Sequence, residues 1–248
     1  MKFVKSYKQM NEGVSQHSEA LLCANDIIRL IKEADLDESY QTLKKLEYDD
    51  ETKFDLIVKI KETTESNFSR DPHFVNLSWE ILNFNDNGYA IDARTEMSQD
   101  TLIPDITIYL LIDSESKESI YKELEYRLID IITHELLHTR QIGWNKEPGH
   151  SHTTSGKERA KSQDPIEYFK LPEEVEAMVG GMYARSKEEG SNIDDIFREY
   201  LNPFIKYGRM TGEDVDDILK IWITFALENY PDVNFSEDSL TSQIVDSI

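Results

Sequence analysis

Residues 117–142 read "KESIYKELEYRLIDIITHELLHTRQI", and the second half of that run decides the fold. Ile120, Leu124 and Leu128 recur on one stripe, so the first half is amphipathic. From Leu128 onward the run is apolar almost all round. The pattern predicts one long helix over 117–142, buried on most faces, capped by Ser114 or Ser116 and ended by Gly143. Its buried half contains His134, Glu135 and His138. Helical residues four apart lie one above the other. Both imidazoles can therefore point a ring nitrogen at a single Zn2+ about 2.0–2.1 Å away. Glu135 lies about 100° further round the helix, so it is not forced onto the ion. It can act instead as a general base on water that the ion has made acidic. One helical turn of the form HExxH thus supplies two ligands and a base. The plain alternative is a buried helix that happens to carry two histidines, but burying them beside a glutamate is costly without a partner.

The flanks set the class. Residues 18–34, "SEALLCANDIIRLIKEA", repeat apolar residues at helical spacing, and "DESYQTLKKLEY" (37–48) reads as a second short helix. "KFDLIVKIKE" (53–62) alternates Phe54, Leu56, Val58 and Ile60 with polar neighbours, which is the strand period. "FVNLSWEILNF" (74–84), the turn signal "NDNG" and "YAIDAR" (89–94) read as a hairpin, and "DITIYLLID" (105–113) as a last strand. Three or four strands before the histidines and helices after them predict an α+β fold, a small mixed sheet on the motif helix. A polar stretch over 145–165 separates that helix from "PEEVEAMVGGMYARSKEEG", framed by Pro172 and Gly190. "NIDDIFREYL" and "TGEDVDDILKIWITFALENY" complete a C-terminal helical set over about 172–230, the latter opened by a Thr211/Asp214 capping box. No linker composition intervenes, so one domain over 1–248 is expected. Its parts are N-terminal helices over about 18–47, a sheet over about 53–113 and then the helices, with the last dozen residues loosely held.

The strand "DITIYLLID", the helix carrying "HELLH" and a later glutamate-bearing helix together resemble the zincin metallopeptidases, over about residues 54–190. The resemblance implies zinc-dependent hydrolysis of peptide bonds. It also implies that the last strand before the motif helix is a sheet edge that pairs with extended substrate. The metzincin branch does not fit, since its spacing needs Gly at 141 and His at 144, where this chain has Gln141 and Trp144. A gluzincin-type site implies a third ligand from the later helix, which offers Glu173, Glu174 and Glu176. Ala177, Gly180, Gly181 and Ala184 form a small-residue face that permits close helix approach, and Glu173 and Glu176 border it while Glu174 is turned further away. "PEEVEA" also resembles a "P-x-E-x-E-A" run of small phage and bacterial HExxH proteins, and this carries the third ligand to Glu176. For Glu173 and Glu174 the expected role is charge complementarity at the positive helix end. His150 and His152 in "GHSHTTSG" compete as ligands or as hydrogen-bond donors to an oxyanion, for which Tyr168 and Tyr183 are further candidates. His17 and His73 read as structural or surface residues.

Composition limits the partners. With 49 acidic and 27 basic residues the net charge is −22, which disfavours phosphate backbones and anionic membranes and mildly favours basic peptide substrates. No run is long and apolar enough to span a membrane, and the start lacks an apolar leader core. The lone Cys23 fits a reducing compartment, so the expected location is the cytoplasm, or a host cytoplasm or virion if the chain is phage-encoded. Two rival classes remain open at the level of sequence: an inactive scaffold of the same fold serving as a structural or interaction protein, and an acidic nucleic-acid mimic.

Overall fold

The computed structural model describes residues 7–34, 36, 40–48, 54–64, 71, 88–97, 103–113, 120–140, 165–237, 241, 242 and 244. Four strands, β1 (Gln41–Tyr48), β2 (Phe54–Thr63), β3 (Tyr89–Met97) and β4 (Pro104–Asp113), form one sheet in the order β1-β2-β4-β3. β1 is antiparallel to β2, β2 parallel to β4, and β3 antiparallel to β4, so the sheet is mixed and the fold is α+β. Helix α1 (Tyr7–Glu33) precedes it, and α2 (Tyr121–His138), α3 (Pro165–Tyr168), α4 (Pro172–Glu189), α5 (Ile193–Lys206) and α6 (Gly212–Asn229) follow. No helix of the described residues is long and apolar enough to cross a membrane.

Two expectations about strands change. The stretch read as a second N-terminal helix is β1. Its leucines at 43 and 46 are three apart, as in a helix, but the register shifts between them: Leu43 pairs with Val58 and Leu46 with Leu56. Three steps on β1 match two on β2, so a bulge imitates helical spacing. The strand over 105–113 is not an edge. β4 lies between β2 and β3, as its almost uninterrupted burial shows, and among the described strands the edges are β1 and β3. The hairpin's first arm, 74–84, lies outside the described residues, as do Ser114, Ser116 and Gly143.

One face of the sheet presents Leu56, Val58, Ile60, Ile106, Ile108, Leu110 and Ile112 to α1 and α2, which answer with Ile27, Ile31, Leu124, Leu128 and Ile132. Cys23 packs in the same cluster as a small buried residue. A second cluster joins the other face of α4 (Val175, Met178, Val179, Met182) to Phe197, Leu201, Leu219 and Trp222 of α5 and α6. The termini of the later helices follow the sequence signals. Pro172 opens α4, Gly190 closes it in the left-handed conformation at φ 74°, and the Thr211/Asp214 box caps α6. Past α6, some of the described residues are tied back to α5. Asp194 accepts from the Ser236 amide at 2.8 Å and from the Thr241 hydroxyl at 2.7 Å, and Ile244 is buried.

α4 therefore lies between the two clusters, and its small residues let it reach α2. A Cβ on Gly181 would stand 2.5 Å from the Asp130 carbonyl oxygen, whereas one on Gly180 would meet the Leu137 Cδ1 methyl. The first obstacle is helix backbone and the second a side-chain end that can rotate. Gly181→Ala should therefore destabilise the metal-free protein by about 1–3 kcal/mol in urea denaturation, and Gly180→Ala by less. Equal stability of Gly181→Ala and wild type would contradict this packing.

Candidate metal centre

The close contact fixes the register of the two helices. They run antiparallel: Arg185 meets Glu123 (Nη2 to Oε1 3.4 Å), Gly181 meets Asp130, and Glu174 meets the two histidines. Seven residues back from Gly181 return almost to the same side of α4, about 20° away, and about 10.5 Å along its axis. Seven residues on from Asp130 in α2 is position 137, between His134 and His138. Glu174 is thus level with both imidazoles and turned towards them.

The donor atoms converge. His134 Nε2 and His138 Nε2 are 2.9 Å apart, and Glu174 Oε2 lies 3.8 Å from the first and 3.5 Å from the second. The rings stand at 89° to one another with their centroids 4.5 Å apart. Among the described residues this is the group that could hold a metal ion, and all three side chains are buried. Tetrahedral ligands about 2.0–2.1 Å from a common ion are about 3.3–3.4 Å apart. The observed separations bracket that value, and a donor set of two imidazoles and a carboxylate suits such an ion. The residues fit.

Charge supports the same arrangement. The Glu174 side chain is only 1% exposed. Burial alone would push its carboxyl up, but the bond and charge of His138, the charge of His134 and the Tyr168 hydroxyl outweigh it and hold the group at about 2. It is an anion in the interior, and positive charge beside it is what makes that tolerable. Tyr168, at the end of α3, donates its phenolic hydrogen to Glu174 Oε2 at 2.6 Å. That engages the hydrogen which an oxyanion role would have used. Tyr183 donates to Asp232 at 2.6 Å instead.

Glu135 is buried and accepts from Thr95 Oγ1 of β3, 2.6 Å from Oε2, and the same hydroxyl lies 3.3 Å from the Glu135 carbonyl oxygen. The sheet edge and the motif helix thereby meet at the carboxylate next to His134. Nothing in the sequence pairs residues 95 and 135, forty positions apart.

Glu176 is not brought to the histidines. It lies about 140° round α4 from Gly181, half-buried, where its charge acts on the Tyr230 phenol. Glu173 is likewise outside the group. The signal that finds Glu174 is the seven-residue spacing from Gly181. Averaging over Ala177, Gly180, Gly181 and Ala184 moves the apparent contact face towards Glu173 and away from Glu174. His150 and His152 lie outside the described residues, as does His73. His17 bonds Glu188 at 2.8 Å and ties α1 to the end of α4.

No protein-family model matches the chain, and no curated protein or solved structure matches it significantly. Its functional reading therefore rests on the geometry of this site. Glu174→Gln should weaken zinc binding at least about 100-fold in a chelator competition, since it removes a charged ligand. Glu176→Gln should bind as wild type does; the opposite pattern would return the third ligand to Glu176.

Proposed function

We propose that the chain is a zinc-dependent peptidase of the zincin kind. The observation that carries this reading is the buried Glu174 closing on an HExxH pair at the spacing of ligands around one small ion. His134, His138 and Glu174 would hold the metal. A zinc ion in that position supplies Lewis acidity, polarising a carbonyl oxygen and lowering the pKa of water.

The chain's own residues do the rest. Glu135 takes a proton from the attacking water as its oxygen bonds to the peptide carbon. It then delivers that proton to the departing nitrogen as the C–N bond breaks. Thr95 donates to one carboxylate oxygen of this base and so limits its rotation. The Glu174 anion offsets part of the charge of a divalent ion, and the buried helices around the ligands keep the local dielectric low. The free edge of the described sheet on the site's side is β3, which carries Thr95. An extended peptide is therefore expected to add beside β3, not along 105–113. The net charge of −22 supports basic substrates over acidic ones, and cytoplasmic action remains part of this reading.

Glu135→Gln separates chemistry from binding. It should keep about one zinc per chain and lose at least about 100-fold in turnover of a peptide library, because the base is gone and the ligands remain. Wild type that holds zinc yet cleaves nothing would favour the scaffold reading. A Gln variant as active as wild type would remove Glu135 from the mechanism.

A further inference from the structure

Tyr168 stands out among the polar groups around the metal ligands because of the atom it touches. Its hydroxyl donates to Glu174 Oε2, the oxygen that also faces both Nε2 atoms. A carboxylate oxygen has two lone-pair directions, so one can accept the phenol while the other faces an ion. We infer that Tyr168 is a positioning residue, whose phenol holds Glu174 Oε2 in its ligating pose. This rests on the metal-site reading above.

Glu174 has an alternative to that pose. It lies in the first turn of α4, whose N-cap, Leu171, offers no side-chain hydrogen bond. A carboxylate in a first turn is also drawn towards the positive end of its own helix. A glutamate with three rotatable bonds has rotamers that turn it that way and others that turn it to the histidines. The phenol biases it to the histidine side, and Tyr168 is itself well anchored. The next residue, Phe169, is buried in a nest of rings, 5.8 Å from Tyr200, 5.2 Å from Phe204 and 5.8 Å from Trp222. Its amide donates to the Pro165 carbonyl at 3.0 Å, and its carbonyl accepts from Trp222 Nε1 at 3.0 Å. The Leu171 amide closes the turn on the Tyr168 carbonyl at 3.2 Å. The second hydrophobic cluster thus fixes where the phenol stands, and the phenol fixes the carboxylate.

The test uses the full chain and Tyr168→Phe, which keeps the ring and removes only the hydroxyl. Zinc affinity is measured by competition with a chromophoric chelator, and ligand geometry by the visible absorption of the Co2+-loaded protein. The Phe variant should bind zinc about 10–100-fold more weakly, the usual effect of losing a partner of a metal ligand. Its Co2+ bands should shift, while the metal-free protein melts with wild type. Equal affinity and coincident bands overturn the inference. Weaker binding with unchanged bands also overturns it, since that result reports lost packing and not a changed ligand pose. Wild type that takes up no metal removes the underlying site reading and this inference with it, whereas a metal-binding wild type matched by the Phe variant overturns this inference alone.

Discussion

The contact between Gly181 and the backbone of Asp130 governs the rest of the molecule. It allows α4 to approach α2 closely enough that a Cβ at the contact would overlap a carbonyl oxygen. Two turns away, that approach sets Glu174 level with His134 and His138. At the other end of α4, Arg185, buried at 1% exposure, makes a bidentate pairing with Glu199 of α5, both arms at 3.0 Å. The same guanidinium reaches Glu189 at 3.1 Å and Glu123 at 3.4 Å. The Arg185–Glu123 pair at one end and the candidate ligands at the other thus lie along the seam between α2 and α4. Only the guanidinium of these pairs is buried; losing the Glu123 partner would leave it with one counter-charge fewer, so that pair favours one helix register over its neighbours.

Each carboxylate at the centre has a hydroxyl from a different element: Thr95 of β3 for Glu135, and Tyr168 of α3 for Glu174. Such donors make a buried anion tolerable, and they also fix its direction. A helix carrying two histidines for packing alone has no need of a buried carboxylate opposite their ring nitrogens.

How much of this is legible in the sequence depends on the range of each interaction. The HExxH turn is local, so spacing alone puts His134, Glu135 and His138 on one helix, and the Pro172, Gly190 and Thr211/Asp214 signals mark the ends of later helices correctly. The strands at 54–63 and 104–113 follow from alternation and an apolar run. What fails depends on partners distant in sequence. A bulge gives Leu43 and Leu46 a helical interval. The order β1-β2-β4-β3 makes the strand nearest the motif an inner one and leaves β1 and β3 as the edges among the described strands, and no local pattern encodes that. The third carboxylate is an intermediate case. The small residues reveal that α4 makes a close contact, but only knowing that Gly181 is its centre separates Glu174 from Glu173. Thr95 and the bond made by Tyr168 leave no trace in local sequence at all.

The central claim is that His134, His138 and Glu174 bind one metal ion. It is tested most directly by an anomalous difference map at the zinc edge from crystals of zinc-loaded protein. One strong peak is expected about 2.0–2.2 Å from His134 Nε2, His138 Nε2 and Glu174 Oε2. A peak ligated by Glu176 or by the histidines at 150 and 152 in place of Glu174, or no peak between α2 and α4, would contradict it.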